Sequence, residues 1–143
     1  MLGRRDPQVF EHYDDPSEAR TRITAAMARP SLFDSFLRYL ASQGYDVPAE
    51  VLARDVEWPA EPTSALQCVL LEVYRDDGEP AQVAERLVDI DEGVQEWRYR
   101  HLKMVERTIG TKSGTGGSPG AAYLRTTLST PVFPDLWAIR SEL

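Results

Sequence analysis

The strongest constraint on the fold is a periodicity of mostly apolar residues that runs from Val83 to Thr108. Its positions recur at spacings of 4, 3, 4, 3, 4, 3 and 4 residues, which is the stripe that one side of an α-helix packs against a core. With Gly110 as a stop signal, the pattern predicts a helix from Pro80 to Ile109, about 30 residues and roughly 45 Å long. The positions of the stripe are Val83, Leu87, Ile90, Val94, Trp97, His101, Met104 and Thr108.

His101 stands on this stripe where a leucine would be expected. An imidazole that leaves water needs partners for its ring nitrogens, or it costs free energy. A backbone carbonyl, a carboxylate and a metal each meet that need, and the spacing does not choose among them. Most histidines at such positions are ordinary core residues, so a second signal is needed to assign a function. The other histidine, His12, lies in a polar stretch and is predicted to be on the surface.

The remaining helices are predicted from start and stop signals, and the chain shows no strand-like alternation of useful length. We therefore predict an all-α fold, a helical bundle with one long central helix, and a single domain over residues 1–143. The predicted spans are Asp15 (cap) to Arg29, Ser31 with Asp34 to Gly44, a short turn after Pro48, a helix through Leu66 and Val73 that ends at Asp76-Asp77-Gly78, Ser118 (cap) with Pro119 to Leu128, and Pro134 to Arg140.

The composition limits the classes of protein that this chain can represent. Its 143 residues carry 23 acidic and 16 basic side chains, a net charge of −7. A protein that binds nucleic acid or anionic membranes would show a basic surface, so neither partner is predicted. Because no apolar run reaches about 18 residues and no leader pattern is present, we expect no membrane span and a cytoplasmic location. The single cysteine, Cys68, excludes a disulfide within the chain, and its apolar neighbours predict a core position.

A glycine-rich segment, residues 110–118, follows the long helix. It fits a flexible connection, a phosphate-binding P-loop, or a backbone cradle at the mouth of a pocket. Lys112-Ser113 suggests a P-loop, but that motif needs glycines where this chain has Glu106 and Thr111, and a strand before the loop. Glycine content alone favours the connection. A cradle would use backbone amides and the Thr115 hydroxyl, with the start of the next helix adding positive potential for a carboxylate.

Several segments together resemble the C-terminal part of tryptophan 2,3-dioxygenases. The most specific runs from Trp97 to Gly117 and contains the sequences WRYRH and IGTKSGTGG. Tyr123-Leu-Arg and Phe133–Arg140 share the likeness, which extends more weakly to Met1-Leu-Gly-Arg and Ser31–Leu40. The resemblance thus covers nearly the whole chain, but only about the second half of a complete family member.

The resemblance implies a cofactor, a substrate and a reaction. The family consists of all-helical haem enzymes that open the indole ring of tryptophan with dioxygen. It implies haem b (iron protoporphyrin IX), with His101 as the proximal axial ligand of the iron. It places Thr115 against the amino-acid end of bound L-tryptophan, in a cradle that includes Gly114 and Gly116. The implied reaction inserts both oxygen atoms across the indole C2–C3 bond to give N-formylkynurenine, in tryptophan catabolism by the kynurenine route, and the implied assembly is a homotetramer.

Other parts of the family's site have no counterpart in this sequence. The histidine on the dioxygen side of the haem, the arginine for the substrate carboxylate and several aromatic side chains belong to the family's N-terminal half. We therefore expect a C-terminal portion of the enzyme, and we assign no catalytic residue within it. The alternatives are a non-catalytic haem-binding or assembly module, one half of a split aromatic-oxidising haem enzyme completed by another chain, or a helical interaction domain in which His101 is only a core residue.

Overall fold

Helices make up nearly all of the regular structure. The computed structural model of the protein describes residues 17–55, 62–112, 114 and 120–143. No β-strand occurs in those ranges, so the predicted all-α class is confirmed. None of the helices described there is both long and apolar enough to cross a membrane. The helices are α1 (Glu18–Met27), α2 (Leu32–Ser42), α3 (Ala49–Leu52), α4 (Ser64–Asp76), α5 (Glu79–Ile109), α6 (Ala121–Thr126) and α7 (Pro134–Ala138), and a 3₁₀ turn follows at Ile139–Glu142.

The sequence signals agree with the observed ends of α2, α4 and α5. A capping box begins α2: the Ser31 hydroxyl accepts the amide hydrogen of Asp34 at 3.1 Å, and the Asp34 carboxylate accepts the Ser31 amide hydrogen at 2.6 Å. Gly44 follows α2 with φ +96°, and Asp77 ends α4 in the left-handed conformation. Gly110 ends α5, whose 31 residues confirm the long central helix.

Two predicted helix starts are wrong. Ser17 caps α1 by accepting, at 3.2 Å, the amide hydrogen of the residue three positions on, whereas the prediction was Asp15, which lies outside the described residues. The helix α6 begins at Ala121 and has only six residues, whereas the prediction was Ser118, also outside the described residues. Gly120 precedes α6 with φ 61° and ψ −129°. Only glycine adopts this conformation readily, and because it is not helical, α6 cannot begin before Gly120. The short α6 therefore adds no substantial helix potential to the glycine-rich segment.

The main core joins α2, α4, the first half of α5 and the C-terminal helices. One side chain from each illustrates it, because Leu40, Leu70, Ala84 and Leu136 have no exposed surface. Burying such a leucine contributes about 1.5–3 kcal/mol before entropy is considered. The core therefore fixes α5 firmly over its first three turns.

The apolar stripe of α5 faces this core over only part of its length, which corrects the sequence prediction. Leu87 is buried, but Ile90, Trp97 and Met104 are 45%, 62% and 55% exposed. The residues that α5 contributes to the core cluster all lie at or before Val88. Beyond that point the stripe leaves the core: Ile90 and Trp97 face solvent, whereas His101, Met104 and Thr108 border an open cleft between α5 and α6.

The predicted core position of Cys68 is also wrong, because the residue is exposed on α4. Leu66, Val69 and Leu70 around it are buried. A helix turns by about 100° per residue, so a residue between buried neighbours can point away from the core. An apolar run alone does not identify which of its members face inward.

A buried carboxylate on α5 holds the C-terminal segment. Asp91 has no exposed surface, and its Oδ2 accepts the amide hydrogens of Val132 at 2.8 Å and Phe133 at 3.0 Å. The same oxygen accepts from the Trp137 indole at 2.9 Å, and Oδ1 accepts from Gln95 at 3.3 Å. Burial by itself raises the pKa of Asp91, but these donors outweigh it and hold the pKa below its ordinary value. The carboxylate is therefore ionised at neutral pH and joins α5 to the start of α7.

We expect Asp91→Ala to lower the free energy of unfolding by on the order of 3 kcal/mol, because each buried donor left without an acceptor costs roughly 1–3 kcal/mol. Asp91→Asn keeps one acceptor oxygen and loses only the charge, so its expected loss is about 1–2 kcal/mol. Urea unfolding followed by circular dichroism measures both.

The lowered pKa of Asp91 sets the sign of a pH dependence. Its stabilisation is complete above the ordinary aspartate pKa of about 3.9 and is lost as the pH falls through the lower folded-state value. The stability difference between the wild type and Asp91→Asn should therefore narrow when urea unfolding is repeated at about pH 3. A difference that stays constant from about pH 7 to pH 3 would contradict the assignment of Asp91 as an ionised anchor.

Candidate functional site

His101 lies half-buried in the second half of α5, on the side that carries Trp97. Residues four apart on a helix are neighbours on its surface. The indole and imidazole rings stack with their centroids 5.1 Å apart and their planes within 4° of parallel. No described residue makes a hydrogen bond to either imidazole nitrogen. The ring thus contacts an aromatic neighbour, and no described residue pairs with its nitrogens.

A cleft of about 380 Å³ opens beside His101, between the second half of α5, α6 and the backbone at Gly114 and Gly120. Small-molecule sites have volumes of roughly 300–1,000 Å³ and mostly apolar walls with a few polar groups. This cleft has that character, because one imidazole and one threonine stand among aliphatic and aromatic side chains. Its lining residues are His101, Met104, Val105, Thr108, Ile109, Gly114, Gly120, Tyr123 and Leu124.

An ion-pair network fastens α6, the far wall of the cleft, to α5. The Glu106 carboxylate accepts from Lys103 Nζ at 2.9 Å through one oxygen. Its other oxygen accepts from Arg125 of α6, at 2.6 Å from Nη2 and 3.1 Å from Nε. The hydrogen bond from Lys103, followed by that from Arg125, holds the pKa of Glu106 below its ordinary value. The carboxylate therefore stays charged and links α6 to α5 through a solvent-exposed ion pair.

A second anchor, Arg98, holds the turn that follows α6. Its guanidinium donates to the backbone carbonyl of Thr127 at 3.2 Å and to that of Thr130. Arg98 lies seven residues after Asp91, which is about two helical turns. Two polar side chains on the same side of α5 thus bind consecutive parts of one segment. Arg98 donates to its backbone carbonyls, and Asp91 accepts from its backbone amides.

Glycine is required at Gly120, directly before α6, where the backbone approaches the first half of the glycine-rich segment. A Cβ atom on Gly120 would lie 2.7 Å from the carbonyl oxygen of Lys112 and 3.3 Å from the amide nitrogen of Gly114. Both are backbone atoms, which cannot rotate away as a side chain can. The approach brings the start of α6 against the end of α5 and closes one end of the cleft.

The structure brings together two of the four predicted site residues. His101 and Gly114 both line the cleft, whereas Thr115 and Gly116 lie outside the described residues. Val105, Thr108 and Leu124 also line the cleft, a position that the sequence did not predict for them. Helical spacing could have predicted those on α5, because Met104, Val105 and Thr108 lie three, four and seven positions after His101 and so share its side of the helix. The contribution of α6 had no such signal, since it depends on how the chain returns after Gly120.

The fold and the cleft define an all-helical protein in which the one described histidine borders a mostly apolar cleft. Comparison with known families identifies the family to which the chain belongs. The sequence model of the family described as tryptophan 2,3-dioxygenase matches residues 62–143, more than half of the chain. The chain therefore belongs to the tryptophan 2,3-dioxygenase family, which confirms the resemblance found in the sequence.

Individual relatives support the same conclusion. A tryptophan 2,3-dioxygenase from Anaeromyxobacter dehalogenans is 63% identical over 143 residues, which is 100% of this chain and 54% of the relative. One from Herpetosiphon aurantiacus is 50% identical, with 100% of this chain and 54% of the relative covered. One from a strain of Bacillus cereus is 40% identical, with 99% and 52% covered. The chain spans about half the length of the curated relatives that it matches.

We expect Gly120→Ala to destabilise the protein more than Gly110→Ala. Both glycines have φ +61°, and their ψ angles are −129° and −123°, so both variants carry the same backbone strain, on the order of 1–3 kcal/mol. A Cβ on Gly110 meets no atom within 4 Å, so only Gly120→Ala adds a backbone clash. Urea unfolding of the two variants measures the difference, and equal losses would show that the approach to Lys112 is not tight.

Proposed function

We propose that this chain forms the haem-binding side of a tryptophan 2,3-dioxygenase, and that the complete protein converts L-tryptophan and dioxygen to N-formylkynurenine. Family membership supports the reaction, because the matching relatives carry that name. In the structure, the observation that carries the proposal is His101. Its imidazole borders an apolar cleft, and no described residue makes a hydrogen bond to its nitrogens.

The residues of the cleft fit haem b as the cofactor. A haem iron needs one imidazole from the protein, whereas a structural zinc site needs four ligands. The described ranges contain no group of three or more histidine, cysteine, aspartate or glutamate side chains suited to a metal ion, and His101 stands alone beside the cleft. Met104, Val105 and Leu124 give that cleft an apolar wall, which suits a flat macrocycle. When bound, the haem would supply the chemistry with dioxygen.

We propose a separate role for each of the site residues of this chain. His101 would hold the iron through a ring nitrogen, and the apolar wall would exclude water from the cleft. We propose that the Thr115 hydroxyl and the amides of Gly114 and Gly116 bind the amino-acid end of the substrate and so orient its indole. The position of Gly114 in the same cleft as His101 supports this.

The proposal needs groups from outside this chain, because the chain spans about half the length of its relatives. We propose that a complementary N-terminal half, or the other subunits of a homotetramer, supply the rest of the site. The exposed apolar side chains Ile90, Trp97 and Met104 of α5 support such a covering segment. The same partial coverage favours a second candidate, a non-catalytic haem-binding module or one half of a split aromatic-oxidising enzyme, which binds haem but does not turn over tryptophan alone.

A haem titration followed at the Soret band tests the axial ligand. We expect saturable binding by the wild type and a loss of affinity on the order of 100-fold in His101→Ala, since even groups that only orient a metal ligand contribute 10–100-fold. Added imidazole should restore the band in His101→Ala by replacing the missing ligand. The matched control is His12→Ala, which removes the only other histidine and should bind like the wild type.

The outcomes separate the candidates. Saturable binding with the same affinity in the wild type and His101→Ala would overturn the assignment of His101 as the axial ligand. Binding that depends on His101, together with formation of N-formylkynurenine from L-tryptophan, would establish the enzyme. The same dependence without turnover by this chain would favour the haem-binding module.

A further inference from the structure

We propose that Trp97 is a positioning residue for His101: its stacked indole fixes the plane of the imidazole and thereby the direction in which a ring nitrogen is presented to haem iron. The inference rests on the proposed haem function of His101. It gives a role to a side chain that lines neither the cleft nor the core.

The geometry of the pair suits this role. Aromatic rings attract one another at centroid separations of roughly 4.5–7 Å when they are offset and parallel. The Trp97 and His101 rings are 5.1 Å apart and within 4° of parallel. The torsion that turns a histidine ring about its Cβ–Cγ bond has broad minima. A flat indole against one face of the imidazole restricts that rotation.

Polar groups that usually orient a metal-binding histidine have other partners here. Such a histidine commonly donates its second ring N–H to a carboxylate or a carbonyl. The nearest acidic side chains along α5 are Glu96, which pairs with Arg100 at 2.6 Å, and Glu106, which pairs with Lys103 and Arg125. Because no described residue makes a hydrogen bond to the His101 ring, the stack is the contact that orients it.

The exposure of Trp97 gives a further reason to assign it a role. Its side chain is 62% exposed, so burial among the described residues of this chain does not account for a tryptophan at this position. Trp137 shows the contrast, since its indole donates to Asp91 and packs against the core. His101 borders the cleft and Trp97 does not. The indole therefore holds the imidazole without occupying the space where a ligand would bind.

The first test needs no haem. In the free chain, the ring current of a stacked indole displaces the imidazole proton resonances of His101, which nuclear magnetic resonance detects. We expect Trp97→Leu to remove the displacement and Trp97→Phe to retain part of it. The matched control is Tyr99→Leu, since Tyr99 is a 54% exposed aromatic residue on α5 whose ring contacts Lys103. It should leave the His101 resonances unchanged.

The second test measures the consequence for haem. We expect Trp97→Leu to weaken haem binding by about 10-fold, the lower end of the effect of removing a group that orients a metal ligand. Trp97→Phe should recover most of that affinity, and Tyr99→Leu should bind like the wild type. In the haem-loaded protein, the iron–histidine band in the resonance Raman spectrum should broaden in Trp97→Leu. A merely structural effect would instead lower the urea midpoint, which we expect to be unchanged because Trp97 is exposed.

The results distinguish this inference from the function on which it rests. Haem binding that requires His101 but is identical in the wild type and Trp97→Leu, with unchanged His101 resonances, would overturn the positioning role alone. Equal haem binding by the wild type and His101→Ala would overturn the proposed function and this inference with it. Loss of the ring-current displacement, weaker binding and recovery in Trp97→Phe would together establish the role.

Discussion

The structure depends on the ionised carboxylate of Asp91 and its acceptance of backbone amides from the segment before α7. A buried charge is tolerated only when donors surround it, and buried amides need acceptors. Asp91, Val132 and Phe133 satisfy one another in this way. Two turns further along α5, the Arg98 guanidinium donates hydrogen bonds to backbone carbonyls just before the same segment. The C-terminal part of the chain therefore packs along α5 through these two side chains. The cleft lies between α5 and α6, where the C-terminal part begins.

The two halves of α5 have different surroundings, and this difference produces the site. The first half is enclosed by the main core, so its position is determined by packing. In the second half, Trp97 and Met104 remain exposed, and His101 stands beside a cleft rather than inside a core. Because α5 is one continuous helix, the core that fixes its first half also sets where the backbone of His101 lies. The same arrangement leaves apolar surface that is suited to a cofactor or to a further part of the protein.

Much of the secondary structure could be predicted because its signals are local. The capping box of Ser31 and Asp34 and the glycine stop at Gly110 act within one helical turn, and both are observed. Errors occurred where a pattern had more than one outcome. The stripe of α5 was predicted to face a core throughout, but periodicity shows only that one side is apolar and not that the chain provides something to cover it. Cys68 was misplaced for a related reason, since an apolar run does not state which of its members point inward.

The sequence by itself determined the all-α class, the long central helix and the family, and it predicted His101 and Gly114, which both line the cleft, because periodicity, helix ends and an unusual motif are properties of neighbouring positions. Only the tertiary structure decided that α6 forms the second wall of the cleft. Its position comes from contacts between residues far apart in the chain, such as Arg125 with Glu106. The stacking of Trp97 on His101 lies between these cases. The spacing of four residues permits the contact, but only the fold, which leaves Trp97 exposed and supplies no polar partner for His101 from the described residues, makes the stack the contact that we propose orients the imidazole.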